Sequence, residues 1–131
     1  MPTGAVKPVK PAPLVLIVDD NVDAREMYAM YLEHEGFRSA EAADGHSAID
    51  RAKRDKPDLI LMDATMPHLD GWEAARALKA DADTKGIPLI MLTAHAFAEH
   101  RERAAAVGAD GFLAKPVLPD ALAREIRRML K

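Results

Sequence analysis

The sequence predicts an α/β domain of the doubly wound kind, a five-stranded parallel sheet with helices on both faces. Three observations predict it. Strand-like apolar runs and helix-like segments alternate five times along the chain. The strongest runs are continuously apolar, as suits strands covered on both faces. The connecting segments carry helix caps and glycine stops, and strict βα alternation implies parallel pairing with right-handed crossovers.

The first strand is expected over 14–18, where Leu-Val-Leu-Ile-Val runs into Asp19-Asp20. Asn21 is placed to cap a helix reaching about Glu35, with Ala24, Met27 and Tyr31 along one side and Gly36 as its stop. A weaker strand follows over 37–42. Ala43-Asp44-Gly45 then turns the chain into a helix over 46–56, with Ile49 and Ala52 inward. Residues 58–62 read as a buried strand ending at Asp63. After a loop with Pro67 and Asp70-Gly71, a helix is expected over 72–82. The stretch 87–92 is the next strong strand and ends at Thr93-Ala94; a helix over 97–107 stops at Gly108. A short strand over 111–114 leads to Lys115-Pro116. Asp120 caps or opens the last helix, on which Leu122, Ile126 and Met129 share a face.

The 131 residues amount to one domain. Residues 1–13, with four prolines and no apolar face, read as a disordered tail, and 14–131 as the folded domain. The absence of cysteine excludes disulfides, thiolate metal sites and cysteine nucleophiles, and suits a reducing, cytoplasmic setting. There is no secretory signal, and no apolar run nears the ~20 residues that cross a bilayer, so no membrane role is expected. A net charge of −3 offers no general attraction to nucleic acid.

The chemistry collects where strands end. In open α/β sheets, ligands bind beyond the carboxyl ends of the strands. Here those ends carry Asp19-Asp20, Asp63, Thr93 and Lys115. Three carboxylates in one place are costly: two unit charges about 5 Å apart at an effective dielectric near 20 repel by roughly 3 kcal/mol. Lys115 offsets part of that, and a hard divalent cation, Mg²⁺ or Mn²⁺, offsets the rest. A cation, an ammonium and a hydroxyl are also what a transferring phosphoryl group requires. Asp63 is then the expected nucleophile, since a carboxylate forms an acyl phosphate. Taken singly, Asp-Asp, Thr-Ala or Lys-Pro says little; the set at successive strand ends is specific.

With those residues in place, the chain resembles the response-regulator receiver family, the CheY-like superfamily. The resemblance rests on Val18-Asp19-Asp20, on 58–63, on Met66-Pro67 with Asp70-Gly71, on Leu92-Thr93-Ala94, and on Gly111-Phe112 leading to Lys115-Pro116. It spans Leu14 to about Leu130. It implies a flavodoxin-like fold with strand order 2-1-3-4-5. It also implies that Asp63 accepts a phosphoryl group from a histidine kinase or a histidine phosphotransfer protein. Asp20 and Asp63 would ligate Mg²⁺ directly, Asp19 through water, and the Thr65 carbonyl would complete the protein ligands. Thr93 would bond the phosphoryl oxygen and Lys115 would pair with it. Thr93 and Phe112 would form the switch, with the output read on the face of the fourth helix, fifth strand and fifth helix. The Lys115-Pro116 peptide is often cis in this family. The expected output is a surface change on this face that a separate protein reads.

Departures from the family pattern fall at Ala64, Thr65 and His95, positions that tune acyl-phosphate lifetime, and at Phe112, where tyrosine is common. The histidines His34, His46, His68, His95 and His100 lack metal-ligand spacing and read as surface side chains, with His95 expected to overhang the site. Arg124, Arg127, Arg128 and Lys131 suit a helix C-terminus better than nucleic acid. Core packing is the expected role of Trp72 and of most of Met27, Tyr28, Met30 and Tyr31. The alternative function is an enzyme, a magnesium-dependent aspartyl phosphatase or phosphotransferase. Such haloacid-dehalogenase-type enzymes place the nucleophile in an Asp-x-Asp motif after the first strand, whereas the pair here is adjacent and the best nucleophile lies on the third. A flavin or nucleotide site lacks its glycine-rich loop. A signalling module rather than an enzyme is therefore expected, and turnover of small phosphate esters separates the two.

Overall fold

A computed structural model of the chain describes residues 11–64, 66, 71–94 and 98–130. Five strands, β1 (Leu14–Val18), β2 (Arg38–Ala42), β3 (Leu59–Asp63), β4 (Leu89–Thr93) and β5 (Gly111–Ala114), alternate with five helices. The helices are α1 (Val22–His34), α2 (Gly45–Asp55), α3 (Gly71–Ala80), α4 (Ala98–Ala106) and α5 (Pro119–Met129). The strands form one parallel sheet of order β2-β1-β3-β4-β5, as the resemblance implied.

Successive strand residues face opposite sides of a sheet, and the core divides accordingly. Leu16, Val18, Ile60, Met62, Leu89 and Met91 point to a layer shared with Ala48, Ala52, Trp72, Leu78 and Val107 of the α2, α3 and α4 side. Val15, Ile17, Leu59, Leu61, Ile90 and Leu92 point the other way, onto Tyr28, Ala29 and Leu32 of α1 and Leu122, Ala123 and Ile126 of α5. The central strands are apolar up to their last residues, Asp63 and Thr93, because each of those apolar positions is covered by one layer or the other.

Local signals set most boundaries. Asn21 caps α1, its side chain accepting from the Ala24 amide at 2.9 Å. Gly36 and Gly108 adopt φ of +93° and +87° just beyond α1 and α4, the left-handed geometry that ends helices at glycine. Asp44 caps α2 by accepting from the Ser47 amide.

Other boundaries moved. The inner face of α1 is Tyr28, Ala29 and Leu32, not Met27; Met27 is 37% exposed and Met30 68%. Ala24 and Tyr31 only border that core. Tyrosine carries enough apolar area to take the inward position. Strand β4 begins at Leu89, two residues late, because Ile87 closes a turn by donating to the Thr84 carbonyl and Pro88 has no N–H to give. Asp58 precedes β3, and its carboxylate accepts from the Leu14 amide. Leu118 occupies the α5 N-cap position without a side-chain bond, Pro119 opens the helix and Asp120 sits in its first turn. Arg127 at the end of α5 donates to the Glu35 carbonyl at 2.8 Å, clasping the end of α1. Among the described residues no helix is long and apolar enough to cross a membrane. The tail reading for 1–13 falls largely outside the described residues; the carbonyls of Ala12 and Pro13 both accept from Arg38.

Candidate functional site

Strand register assembles the site. Val18 pairs with Met62, so Asp19 and Asp63 leave their strands at one level. Asp63 pairs with Leu92 and Thr93 with Ala114, which places Thr93 and then Lys115 one step further out along the sheet edge. The carboxylates of Asp19, Asp20 and Asp63 offer ligand atoms within 4.8 Å of one another. Asp19 and Asp63 are 3% and 6% exposed, Thr93 is fully buried, and Asp20 faces solvent. Lys115 Nζ lies 3.2 Å from Asp63 Oδ1 and 3.5 Å from Asp19 Oδ2. The Lys115-Pro116 peptide is cis. Thr65, Pro67, His68, Asp70 and His95, which the sequence also singled out, lie outside the described residues.

The cluster is braced by residues the sequence did not flag. Arg25 donates to the Asp19 carbonyl at 2.8 Å and is itself held by Glu41 at 3.1 Å. The Asn21 amide donates to Asp19 Oδ1, fixing that carboxylate's rotamer. Gly71 comes so close to the end of β3 that a Cβ there would stand 1.9 Å from the Asp63 carbonyl oxygen. Arg25 and Glu41 are remote in sequence from any motif, and only the pairing of β1 with β2 brings them together. Gly71 was legible as a turn residue but not as a contact.

Charge is only partly balanced within the protein. Burial alone pushes the Lys115 ammonium down, but the facing carboxylates of Asp63 and Asp19 outweigh it and the net shift is upward, so the amine stays protonated. Burial raises the neighbouring Tyr28 phenol, with Lys115 opposing and Asp19 and Asp63 adding to the rise. Three carboxylates against one ammonium leave an excess of negative charge in a part-buried place. An all-oxygen donor set with one exposed carboxylate suits a hard divalent cation that keeps several waters, which is the habit of Mg²⁺.

The other half of the site faces α3 and α4. Thr93 Oγ1 lies 3.2 Å from His100 Nδ1. The His100 ring meets Trp72 edge-on, with centroids 5.7 Å apart, and the Arg103 guanidinium covers the Trp72 ring. Trp72 is buried, as expected. Phe112 lies opposite Met91 on β5, partly buried, with Arg101 over its ring. His100 is therefore no simple surface histidine; its period on α4 gave no hint of that, because the contact crosses to β4.

The model of the response regulator receiver domain matches residues 15–127. The chain belongs to the response-regulator receiver family. It is 38% identical over 117 residues to the phosphate regulon regulator PhoB of Klebsiella pneumoniae, covering 89% of this chain and 51% of that protein. The chain thus spans about half the length of the curated relatives it matches. Among solved structures, the chemotaxis protein CheY4 of Vibrio cholerae superposes with a TM-score of 0.86 at 34% identity, covering 91% of this chain and 99% of that one. The receiver domain of the sensor histidine kinase PA1611 of Pseudomonas aeruginosa does so with a TM-score of 0.84 at 34% identity, over 91% and 98% of the two chains, and was solved with magnesium coordinated in its active-site cleft. As a receiver domain of a two-component system, the chain is a signalling module. Its acidic pocket has the composition that a phosphoacceptor and a divalent cation require.

Proposed function

We propose that Asp63 takes the phosphoryl group, from a histidine kinase or a histidine phosphotransfer protein, with Mg²⁺ bound. The observation that carries the reading is the Asp63 carboxylate lying 3.2 Å from the Lys115 ammonium and clustered with the Asp19 and Asp20 carboxylates. Asp20 and Asp63 would hold the metal directly, Asp19 through water, with the Thr65 carbonyl as a further ligand; Mn²⁺ fits the same donors. The cation would neutralise charge spreading over the phosphoryl oxygens. In the transfer, a carboxylate oxygen of Asp63 bonds to phosphorus while the bond to the donor's imidazole nitrogen breaks, its electron pair leaving with the nitrogen. Lys115 stays protonated and pairs with the oxygens. The Thr93 hydroxyl donates to one of them.

A groove lined by Met27, Tyr31, Lys115, Pro116 and Leu118 runs up to the cluster and gives the donor apolar surface to cover. The exposure of Met27, unexpected for a core residue, supports that use. The output is a shift of Thr93 and Phe112 that re-contours the α4-β5-α5 face, read by a downstream protein rather than by nucleic acid or membrane. The only turnover expected is hydrolysis of the domain's own acyl phosphate.

Incubation with a phosphorylated kinase domain or a small phosphodonor in Mg²⁺ tests this. Intact-mass measurement should show one added phosphoryl group, lost in Asp63→Asn. Undiminished labelling of that variant would overturn the assignment.

A further inference from the structure

A hydrogen bond between Thr93 and His100 links the site to α4. Thr93 is fully buried on β4, and His100 reaches it from the first turn of α4 with Nδ1 3.2 Å from Oγ1. Behind the imidazole stands Trp72 of α3, and over Trp72 the guanidinium of Arg103, one turn on in α4, 4.9 Å from the ring centroid. The imidazole thus packs edge-on against a buried indole that Arg103 covers, so the threonine side chain is tied to a ring with a packed neighbour.

We propose that His100 is a positioning residue that holds Thr93 in its resting arrangement and so sets the threshold for activation. The proposal rests on the reading that Thr93 turns to a phosphoryl oxygen on Asp63. A threonine hydroxyl has one proton to donate. At rest the hydroxyl shares a hydrogen bond with Nδ1 of His100. Turning that hydroxyl to a phosphoryl oxygen on Asp63 carries Oγ1 away from α4 and breaks the bond, whichever partner donates it. The same event releases the imidazole from Thr93, so α4 loses this bond to β4 at the moment the phosphoryl group arrives. A modification shifts an equilibrium only by its differential interaction with the two states. Here the Thr93–His100 bond counts on the resting side, and its strength subtracts from what the phosphoryl group supplies.

His100→Phe keeps an aromatic ring against Trp72 and deletes the hydrogen bond. His100→Asn puts an acceptor back near the Nδ1 position. His100→Leu is a second deletion should the larger ring crowd α4. Each 131-residue chain is titrated with beryllium fluoride in Mg²⁺, and the midpoint is read from the backbone amide shifts of Phe112 and Leu113. The deletion variants should saturate at roughly threefold to tenfold lower concentration than wild type, the weight of one neutral hydrogen bond. His100→Asn should return the midpoint toward wild type. In a Thr93→Ala background, His100→Phe should leave the midpoint unchanged, because the effect acts through the hydroxyl. A midpoint for His100→Phe and His100→Leu within twofold of wild type would overturn the proposal. An equal drop in the Thr93→Ala background would overturn it too, since His100 would then be acting by packing alone. If wild type gives no saturable response, as Asp63→Asn should not, the phosphoacceptor reading fails and this proposal fails with it.

Discussion

Gly71 packs so tightly on Asp63 that a Cβ at position 71 would stand 1.9 Å from the Asp63 carbonyl oxygen and 2.9 Å from the Ala64 Cα. Both neighbours are backbone, so neither can swing aside. Gly71→Ala should therefore push the start of α3 off the end of β3, costing about 2 kcal/mol or more of stability. It should also weaken Mg²⁺ binding, because Asp63 moves. Urea unfolding and a metal titration check this. Gly86→Ala is the control: a Cβ there meets nothing within 4 Å, and stability should hardly change.

Lys115 bridges Asp63 and Asp19 without fully balancing them. Lys115→Ala should lose about 1–2 kcal/mol in EDTA, a figure kept small because the ammonium is partly solvated. Added Mg²⁺ should raise its melting temperature more than it raises that of wild type, since the cation replaces the missing charge. An equal Mg²⁺ response in both proteins would contradict this. In metal-free wild type, the Lys115 value lies above its ordinary 10.5 in the folded state. Its contribution is thus complete below pH 10.5 and fades as pH climbs through the raised value.

Asp20 faces solvent and Asp19 is buried and held by the Asn21 amide. Loss of an outer partner typically costs about 10–100-fold in metal affinity. Asp19→Ala should lose affinity within that range, and Asp20→Ala, which would delete a direct ligand, should lose more than that range. Trp72, the single tryptophan, provides the fluorescence signal. Wild-type affinity in Asp20→Ala would exclude the direct role.

Asp44 caps α2, and its bond from the Ser47 amide holds its carboxyl below the usual range. Asp44→Ala should destabilise the fold by about 1 kcal/mol near neutral pH. Because the folded value is depressed, the contribution is present above the ordinary 3.8 and is lost as pH falls through the lowered value. The difference between the two proteins in thermal melts should shrink in strong acid. A difference independent of pH would mean that the cap is not acting through its carboxylate.

The sequence by itself determined the architecture of this protein. Continuous apolar strands alternating with capped helices leave little choice but a covered parallel sheet, and parallel strands deliver Asp19, Asp20, Asp63, Thr93 and Lys115 to one edge whatever the details. Resemblance supplied the strand order. What periodicity could not assign was the inward face of α1: Met27 and Tyr28 are both apolar enough to be buried, and only the packing of α1 on the sheet turned tyrosine inward. The braces belong wholly to the tertiary structure. Arg25 meets Glu41 and the Asp19 carbonyl because β2 pairs with β1, Gly71 meets Asp63 because α3 turns back on β3, and His100 meets Thr93 because α4 crosses β4. Each of these contacts joins residues far apart in the chain or on different elements, and nothing in the local sequence of either partner announces the other. A side chain's reach is a few ångströms, and which partner falls within it depends on how whole elements pack, not on the residues beside it in the chain.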